Sequence, residues 1–357
     1  MLALRLARGS RPLVQLRRLL VAAASAGSGF LLLYVLAEAT ARPAGSFPRL
    51  LWALVPLAVT VQFAVAVART DPAATPRDGL DAAGLGPVRL TLVAAISTAV
   101  ACALGSAVAL AVFLHLRGDV AGLPFDGAGA GLLHADRPLP VAAALTLLAL
   151  LPLTASAATT LALRPHPRPA PQTVLPWGIA LTACGLAALA YAGPGGAGLP
   201  AGWALTAAGL ALAGPGLAYA CGTLVQSLRP GALRLLAGRT LQEEAPRLGA
   251  PLGVLCAVGA GALSAVALRD RGGLQVPLGP LTAPAAALVV LCAAATLLTS
   301  AVEVRQARAA TRAALIGIGA PGSVLRGAAT VRAIALAAGC LPLAWGVAQL
   351  TSMALTH

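Results

Sequence analysis

The side chains able to do chemistry in this chain are few, and their spacing matches no metal or redox motif. There are six cysteines and four histidines, with no Cys-x-x-Cys pair and no histidine at metal-ligand spacing. Two roles are open for the cysteines: a redox or metal site, or small apolar side chains that pack between helices. We favour packing and expect no metal site and no cofactor, because all six lie in apolar stretches, at Cys102, Cys184, Cys221, Cys256, Cys292 and Cys340.

Motifs of hydrolases and nucleotide-binding proteins are also missing. The sequence has no H-E-x-x-H, no G-x-S-x-G and no paired acids within an apolar stretch. A P-loop requires lysine, whereas all 25 basic residues are arginine. We therefore expect that the chain is not an enzyme and that any ATP hydrolysis belongs to another subunit.

The elements that must position these side chains are membrane spans. Of the 357 residues, 59% are hydrophobic and 10% are charged, and the mean hydropathy is +0.86. Those values exclude an ordinary soluble domain and a disordered chain. The net charge of +14 does not indicate nucleic-acid binding, because only 3% of residues are aromatic and the arginines are scattered between apolar stretches.

A window of about 19 residues predicts nine transmembrane helices, and hence an all-α, polytopic bundle. The predicted spans are 19–37, 50–68, 90–116, 139–163, 174–192, 203–225, 248–268, 281–302 and 328–353. With the N-terminus in the cytoplasm, 19 of the 25 arginines fall on the inner side, as the positive-inside rule requires. An odd number of spans then places His357 outside. Arginine without lysine in an alanine-rich chain is typical of GC-rich DNA, which favours a bacterial cytoplasmic membrane.

The acidic residues argue against coupling to protons or sodium, since such coupling generally needs ionisable groups inside the bundle. All eleven lie in predicted loops or at span ends, at Glu38, Asp71, Asp78, Asp81, Asp119, Asp126, Asp136, Glu243, Glu244, Asp270 and Glu303. We expect no buried carboxylate. Arg332 is the one charge placed to enter a span, and we expect it to snorkel to the inner interface.

The glycines and prolines predict where a span is kinked or broken and where two spans approach each other closely. Pro56, Pro152, Pro215 and Pro342 are expected to kink or break their spans, most strongly in the Gly214-Pro215-Gly216 run. The Gly249-x-x-x-Gly253 pattern predicts a close approach of two helices.

An internal repeat relates the two ends of the chain. Ala-Leu-Arg-Leu occurs at 3–6 and again at 232–235, each time leading into a span. A second match pairs Arg77-x-x-Leu80-x-x-x-Gly84 with Arg312-x-x-Leu315-x-x-x-Gly319. Because six spans precede the second copy, both copies enter from one side, which predicts two parallel pseudo-repeats joined by two extra helices. The predicted modules are 1–163 with four spans, a two-span connector at 164–228, and 229–357 with three spans.

The inner segment of the second copy predicts a short helix with a basic face. Arg305, Arg308 and Arg312 share that face, and Leu315 and Ile318 begin an apolar surface. Gly319, Pro321 and Gly322 are expected to end the helix and reverse the chain. Two roles are open: docking to another protein, or lying on anionic lipid at the membrane surface.

Three segments resemble the permease subunits of FtsX-like ABC transporters. They are ALRLARGSRPLVQLRRLL at 3–20, GALRLLAGRTLQEEAPRLG at 231–249 and RQARAATRAALIGIGAPGSVLRG at 305–327. The resemblance implies a separate P-loop ATPase, expected to act as a dimer, on which the inner segments dock. The docking residues it implies are Arg77, Leu80, Gly84, Arg308, Arg312, Leu315, Gly319 and Pro321.

The chain departs from that family in three ways. Ser97 and Arg332 occupy positions where the family usually has glutamate, nine spans are predicted where two four-helix modules and two extra helices need ten, and large external domains are missing. The resemblance implies ATP-driven movement of an amphipathic lipid, peptide or drug, with membrane lipids as further partners. The alternatives are a scaffold or regulatory subunit that transports nothing, and a secondary transporter.

Overall fold

A computed structural model shows an all-α chain. It describes residues 12–42, 46–70, 87–119, 124, 126–164, 170–192, 198–227, 231–270, 281–317, 319 and 321–356. These residues form ten helices: α1 Pro12–Ala41, α2 Ser46–Arg69, α3 Pro87–Arg117, α4 Val141–Leu163, α5 Pro171–Ala192, α6 Leu199–Ser227, α7 Ala232–Asp270, α8 Thr282–Ala307, α9 Ala309–Gly317 and α10 Gly322–Thr356.

Eight helices in the described part of the chain are long and apolar enough to cross a membrane, namely α1, α3 to α8 and α10. The ninth predicted span, 50–68, lies in α2, where the structure describes a shorter apolar stretch at Ala53–Arg69. With nine residues, α9 rises only about 14 Å, less than half of a hydrocarbon core. The chain is therefore a multi-pass membrane protein with eight candidate spans, while the two parallel repeats and the three modules remain predictions.

The first compact unit comprises Met1–Pro165 and Pro280–Cys292, that is α1 to α4 and the start of α8. Its apolar core includes Leu33, Phe113 and Leu148. Phe30 meets Phe113 edge to face, with ring centroids 5.6 Å apart. Gly105 of α3 lies directly against the backbone of α1, at a distance that leaves no room for a side chain.

The second unit comprises His166–Gly279 and Ala293–His357, that is α5 to α7, the rest of α8, α9 and α10. Glycines let α5 and α6 approach closely, since Gly178 faces the backbone of Ala213 and Gly185 faces Thr206. In a lipid bilayer the hydrophobic effect does not drive helices together. Close backbone contact at glycines instead stabilises the helix pair through dense van der Waals packing.

Helix α6 packs equally closely against α7. Gly249 and Gly253 of α7 contact the backbone of α6 at Pro215 and Leu210. This confirms the predicted close approach at Gly249-x-x-x-Gly253.

The prolines are predicted to kink or break their spans, and the break predicted at Gly214-Pro215-Gly216 is wrong. Helix α6 runs without interruption through Gly214-Pro215-Gly216, and Pro56, Pro152 and Pro342 also lie inside continuous helices. A proline removes one backbone donor and crowds one carbonyl, but neighbouring helices can hold the backbone in place. At Pro215 the glycines of α7 provide that support.

Candidate functional site

Three of the predicted docking residues fall outside the described part of the chain. Arg77, Leu80 and Gly84 belong to residues 71–86, which the structure does not describe. The remaining five, Arg308, Arg312, Leu315, Gly319 and Pro321, lie at or beside α9. The candidate site is therefore built on the connection between α8 and α10.

That connection has the predicted shape of a short helix followed by a tight turn. Helix α8 ends at Ala307, α9 covers Ala309–Gly317, and α10 begins at Gly322. The amide of Gly319 donates to the carbonyl of Ile316 at 3.0 Å. Gly319 has φ +92°, a left-handed conformation that glycine adopts without the strain other residues suffer. The predicted end of the helix at these glycines is confirmed.

The arginines of the segment fall into two groups. Arg305 and Arg312 are exposed. Arg308, immediately before α9, contacts α7, where its Nη2 donates to the carbonyl of Thr240 at 3.0 Å. The expected face of three arginines on one helix is thus divided, because Arg305 lies in α8, Arg312 lies in α9, and Arg308 between them has partners within the protein.

Those partners include a buried carboxylate. The side chain of Glu244, in α7, is 7% exposed. Its Oε1 forms an ion pair with Nε of Arg308 at 3.0 Å and accepts a hydrogen bond from Nη1 of Arg332 of α10 at 2.8 Å. The neighbouring Glu243 meets Nη2 of Arg308 at 3.1 Å but is 73% exposed. We call Glu244, Arg308 and Arg332 the charge triad.

The charge triad corrects the expectation of no buried carboxylate, because Glu244 is buried in the bundle. It also gives Arg332 an anionic partner that the sequence analysis did not predict. The predicted span began at 248, whereas α7 is one helix from Ala232, so Glu244 lies within it and not at its end. An arginine inside an apolar stretch needs an anionic partner. The position of Arg332 in the sequence was therefore the signal from which a buried acidic partner could have been predicted.

Helix α9 itself is almost wholly solvent-accessible. All of its side chains that the structure describes are exposed, including Arg312 and Ile316, which is 52% exposed. The structure describes the backbone of Leu315 but not its side chain. A short helix with exposed basic and apolar side chains can bind a partner through both kinds of contact.

All six cysteines are free thiols; Cys102, Cys256 and Cys292 are buried, Cys221 and Cys340 are partly buried, and Cys184 is exposed. Cys221, Cys256 and Cys340, from α6, α7 and α10, line one cavity of about 20 Å³. In the described residues no group of three or more histidine, cysteine, aspartate or glutamate side chains is arranged to hold a metal ion. The burial of Cys102, Cys256 and Cys292 fits the packing role that we favour.

A second polar cluster joins α1 to the segment before α4. Nε2 of His134 lies 2.8 Å from Oε2 of Glu38, and Glu38 also pairs with Arg42 at 3.2 Å. Nη1 of Arg137 donates to the carbonyl of Thr40 at 3.1 Å. These contacts fix the segment to the end of α1, a structural role that the sequence did not predict.

The fold and the site define the class of the chain as a multi-pass, all-α integral membrane protein with a charge triad at the root of an exposed short helix. No protein-family model, no curated protein and no solved structure matches it.

Proposed function

We propose that the chain is the permease subunit of an ATP-driven transporter of the FtsX-like ABC type, in a bacterial cytoplasmic membrane. A separate P-loop ATPase, acting as a dimer, docks on the inner segments. ATP binding draws the two ATPase subunits together, pushes the segments around Leu80 and Leu315, and tilts the spans. The cargo that fits such a bundle is amphipathic: a lipid, a peptide or a hydrophobic drug.

The observation that carries the proposal is α9. It connects two candidate spans, it is too short to cross a membrane, and its described side chains are exposed. The positive-inside rule predicts that it lies on the cytoplasmic side, where an ATPase is accessible. Arg308, immediately before α9, forms an ion pair with the buried carboxylate of Glu244 in α7, which allows a displacement of α9 to be transmitted to a candidate span.

Co-purification with the ATPase encoded in a neighbouring reading frame tests the docking. We expect Arg312→Glu and Ile316→Asp each to lower ATPase recovery at least about tenfold, because charge and apolar contacts at the centre of an interface dominate its affinity. Asp126→Arg is the matched control, since Asp126 is exposed and far from α9 in sequence. The amount of ATPase recovered with Asp126→Arg should equal the amount recovered with the wild type.

Three results would contradict the proposal. They are a neighbouring frame without a P-loop ATPase, unchanged recovery in both α9 variants, and equal loss in the control. A chain that binds the ATPase without changing its turnover or moving any cargo acts as the scaffold or regulatory subunit instead.

One observation favours a second candidate, a secondary transporter. Glu244 is a carboxylate buried between helices, which is where ion-coupled transporters place their ionisable residues. Transport into proteoliposomes distinguishes the two: a secondary transporter responds to an imposed proton gradient without ATP, and the proposed permease does not.

A further inference from the structure

The two arginines of the charge triad converge on one atom. Oε1 of Glu244 forms an ion pair with Nε of Arg308 at 3.0 Å and accepts a hydrogen bond from Nη1 of Arg332 at 2.8 Å. The guanidinium groups are partly exposed, at 28% and 23%, while the carboxylate between them is 7% exposed. Removing the buried member of such an arrangement leaves both arginines without their main partner.

The triad joins three elements of the second unit. Glu244 belongs to α7, Arg332 to α10, and Arg308 immediately precedes α9. Arg308 is attached to α7 a second time, through the carbonyl of Thr240 at 3.0 Å. Because every described side chain of α9 is exposed, the contacts of Arg308 are the side-chain anchor at its root.

We infer that Glu244 is a positioning residue: it holds the root of α9 to α7 and α10, so that a displacement of α9 reaches both spans. This inference rests on the proposed function for its purpose, since the displacement comes from a docked ATPase. The part of the inference that concerns the isolated chain, in which Glu244 holds α9 in position, does not depend on the proposed function.

The first experiment uses the full-length chain alone in lipid nanodiscs and measures millisecond amide hydrogen exchange of residues 309–317. Glu244→Gln should raise exchange at least about threefold, because so short a helix is stable only when its surroundings hold it. Glu243→Gln is the matched control. It removes an exposed partner of the same Arg308 and should change exchange by less than about 1.5-fold.

A variant with a milder effect on folding repeats the test. Arg308→Gln releases α9 but keeps the pair between Glu244 and Arg332, and it should raise exchange as Glu244→Gln does. Unchanged exchange in both variants, or an equal rise with Glu243→Gln, would overturn the inference.

The second experiment separates positioning from docking, in the presence of the ATPase. Glu244→Gln should bind the ATPase with a Kd within about twofold of the wild type and lose most of the stimulated ATP turnover, because the interface is intact and the connection is broken. Glu244→Asp, which keeps the negative charge, should restore part of the stimulated ATP turnover. If the Glu244→Gln chain stimulated ATP turnover as much as the wild type does, the inference would be contradicted.

The two proposals fail in different ways. If the wild-type chain binds no ATPase, the proposed function is wrong, and the exchange experiment still decides the role of Glu244. If the ATPase binds and the exchange of α9 is insensitive to the triad, docking stands and the positioning role is wrong.

Discussion

Single hydroxyl groups connect the helices of the first unit. Oγ of Ser28 in α1 lies 2.6 Å from Oγ1 of Thr60 in α2, and both residues are fully buried. Ser25 donates to the carbonyl of Cys102 in α3 at 2.8 Å. Because lipid offers no competing hydrogen-bond partners, these contacts fix the rotation of α1 against its neighbours.

A double-mutant cycle at Ser28 and Thr60 measures one of these contacts. We expect Ser28→Ala and Thr60→Ala to couple by about 0.6 kcal/mol, and by no more than about 1.7 kcal/mol, as interhelical hydrogen bonds in membranes do. Unfolding in mixed micelles gives the free energies. Thr146→Ala is the control, since its hydroxyl bonds to Ala143 of its own helix, and it should not couple to either.

Glu244 shows why some residues of the site could not be predicted from the sequence. Its charge and the composition around it match a surface residue at the end of a span, and only its contacts with Arg308 and Arg332 make it internal. Those partners are 64 and 88 residues away along the chain. Periodicity and charge counts report on local sequence, so a burial that depends on distant partners is invisible to them.

At the scale of helices, the sequence predicts what depends on local composition. The turn at Gly319 and the close approach at Gly249 were predictable, because each depends on the small size or the backbone freedom of one residue type. The continuity of α6 at Pro215 was not, because proline disfavours a helix locally and the packing against α7 outweighs that effect.

Two glycines of α7 test this packing. Gly249→Ala should lower the free energy of unfolding by about 1–3 kcal/mol, because the added Cβ collides with the backbone of Pro215, which cannot move as a side chain can. Gly259→Ala is the matched control in the same helix. An added Cβ there meets nothing within 4 Å, so the better helix propensity of alanine should stabilise the chain slightly.

Thermal unfolding of both variants in detergent compares them directly. Equal stability of the two, or a Gly249→Ala chain as stable as the wild type, would mean that α6 and α7 are farther apart than described.

For the molecule as a whole, α2 decides the topology. Its 24 residues rise about 36 Å, enough to cross a hydrocarbon core. If α2 crosses with the eight candidate spans, the number is odd, and the two ends of the chain lie on opposite faces of the membrane. If it does not, they lie on the same face.

We expect α2 to cross. A cysteine introduced at His357 should then react with a membrane-impermeant maleimide added outside intact cells, while one at Thr311 of α9 should react only after the membrane is opened. A tail that is protected until the membrane is opened would reduce the number of spans to eight. Reaction of Thr311→Cys from outside would place α9 away from any cytoplasmic partner.

Cys184 of α5 differs from the other five thiols in being exposed. Its neighbours along the helix, such as Ile179, present apolar side chains to the surroundings. A lipophilic fluorophore attached there would report on the acyl-chain environment beside the second unit, with the native residues of the charge triad and of α9 left unaltered. The chain thus carries its own attachment point for spectroscopy in a bilayer.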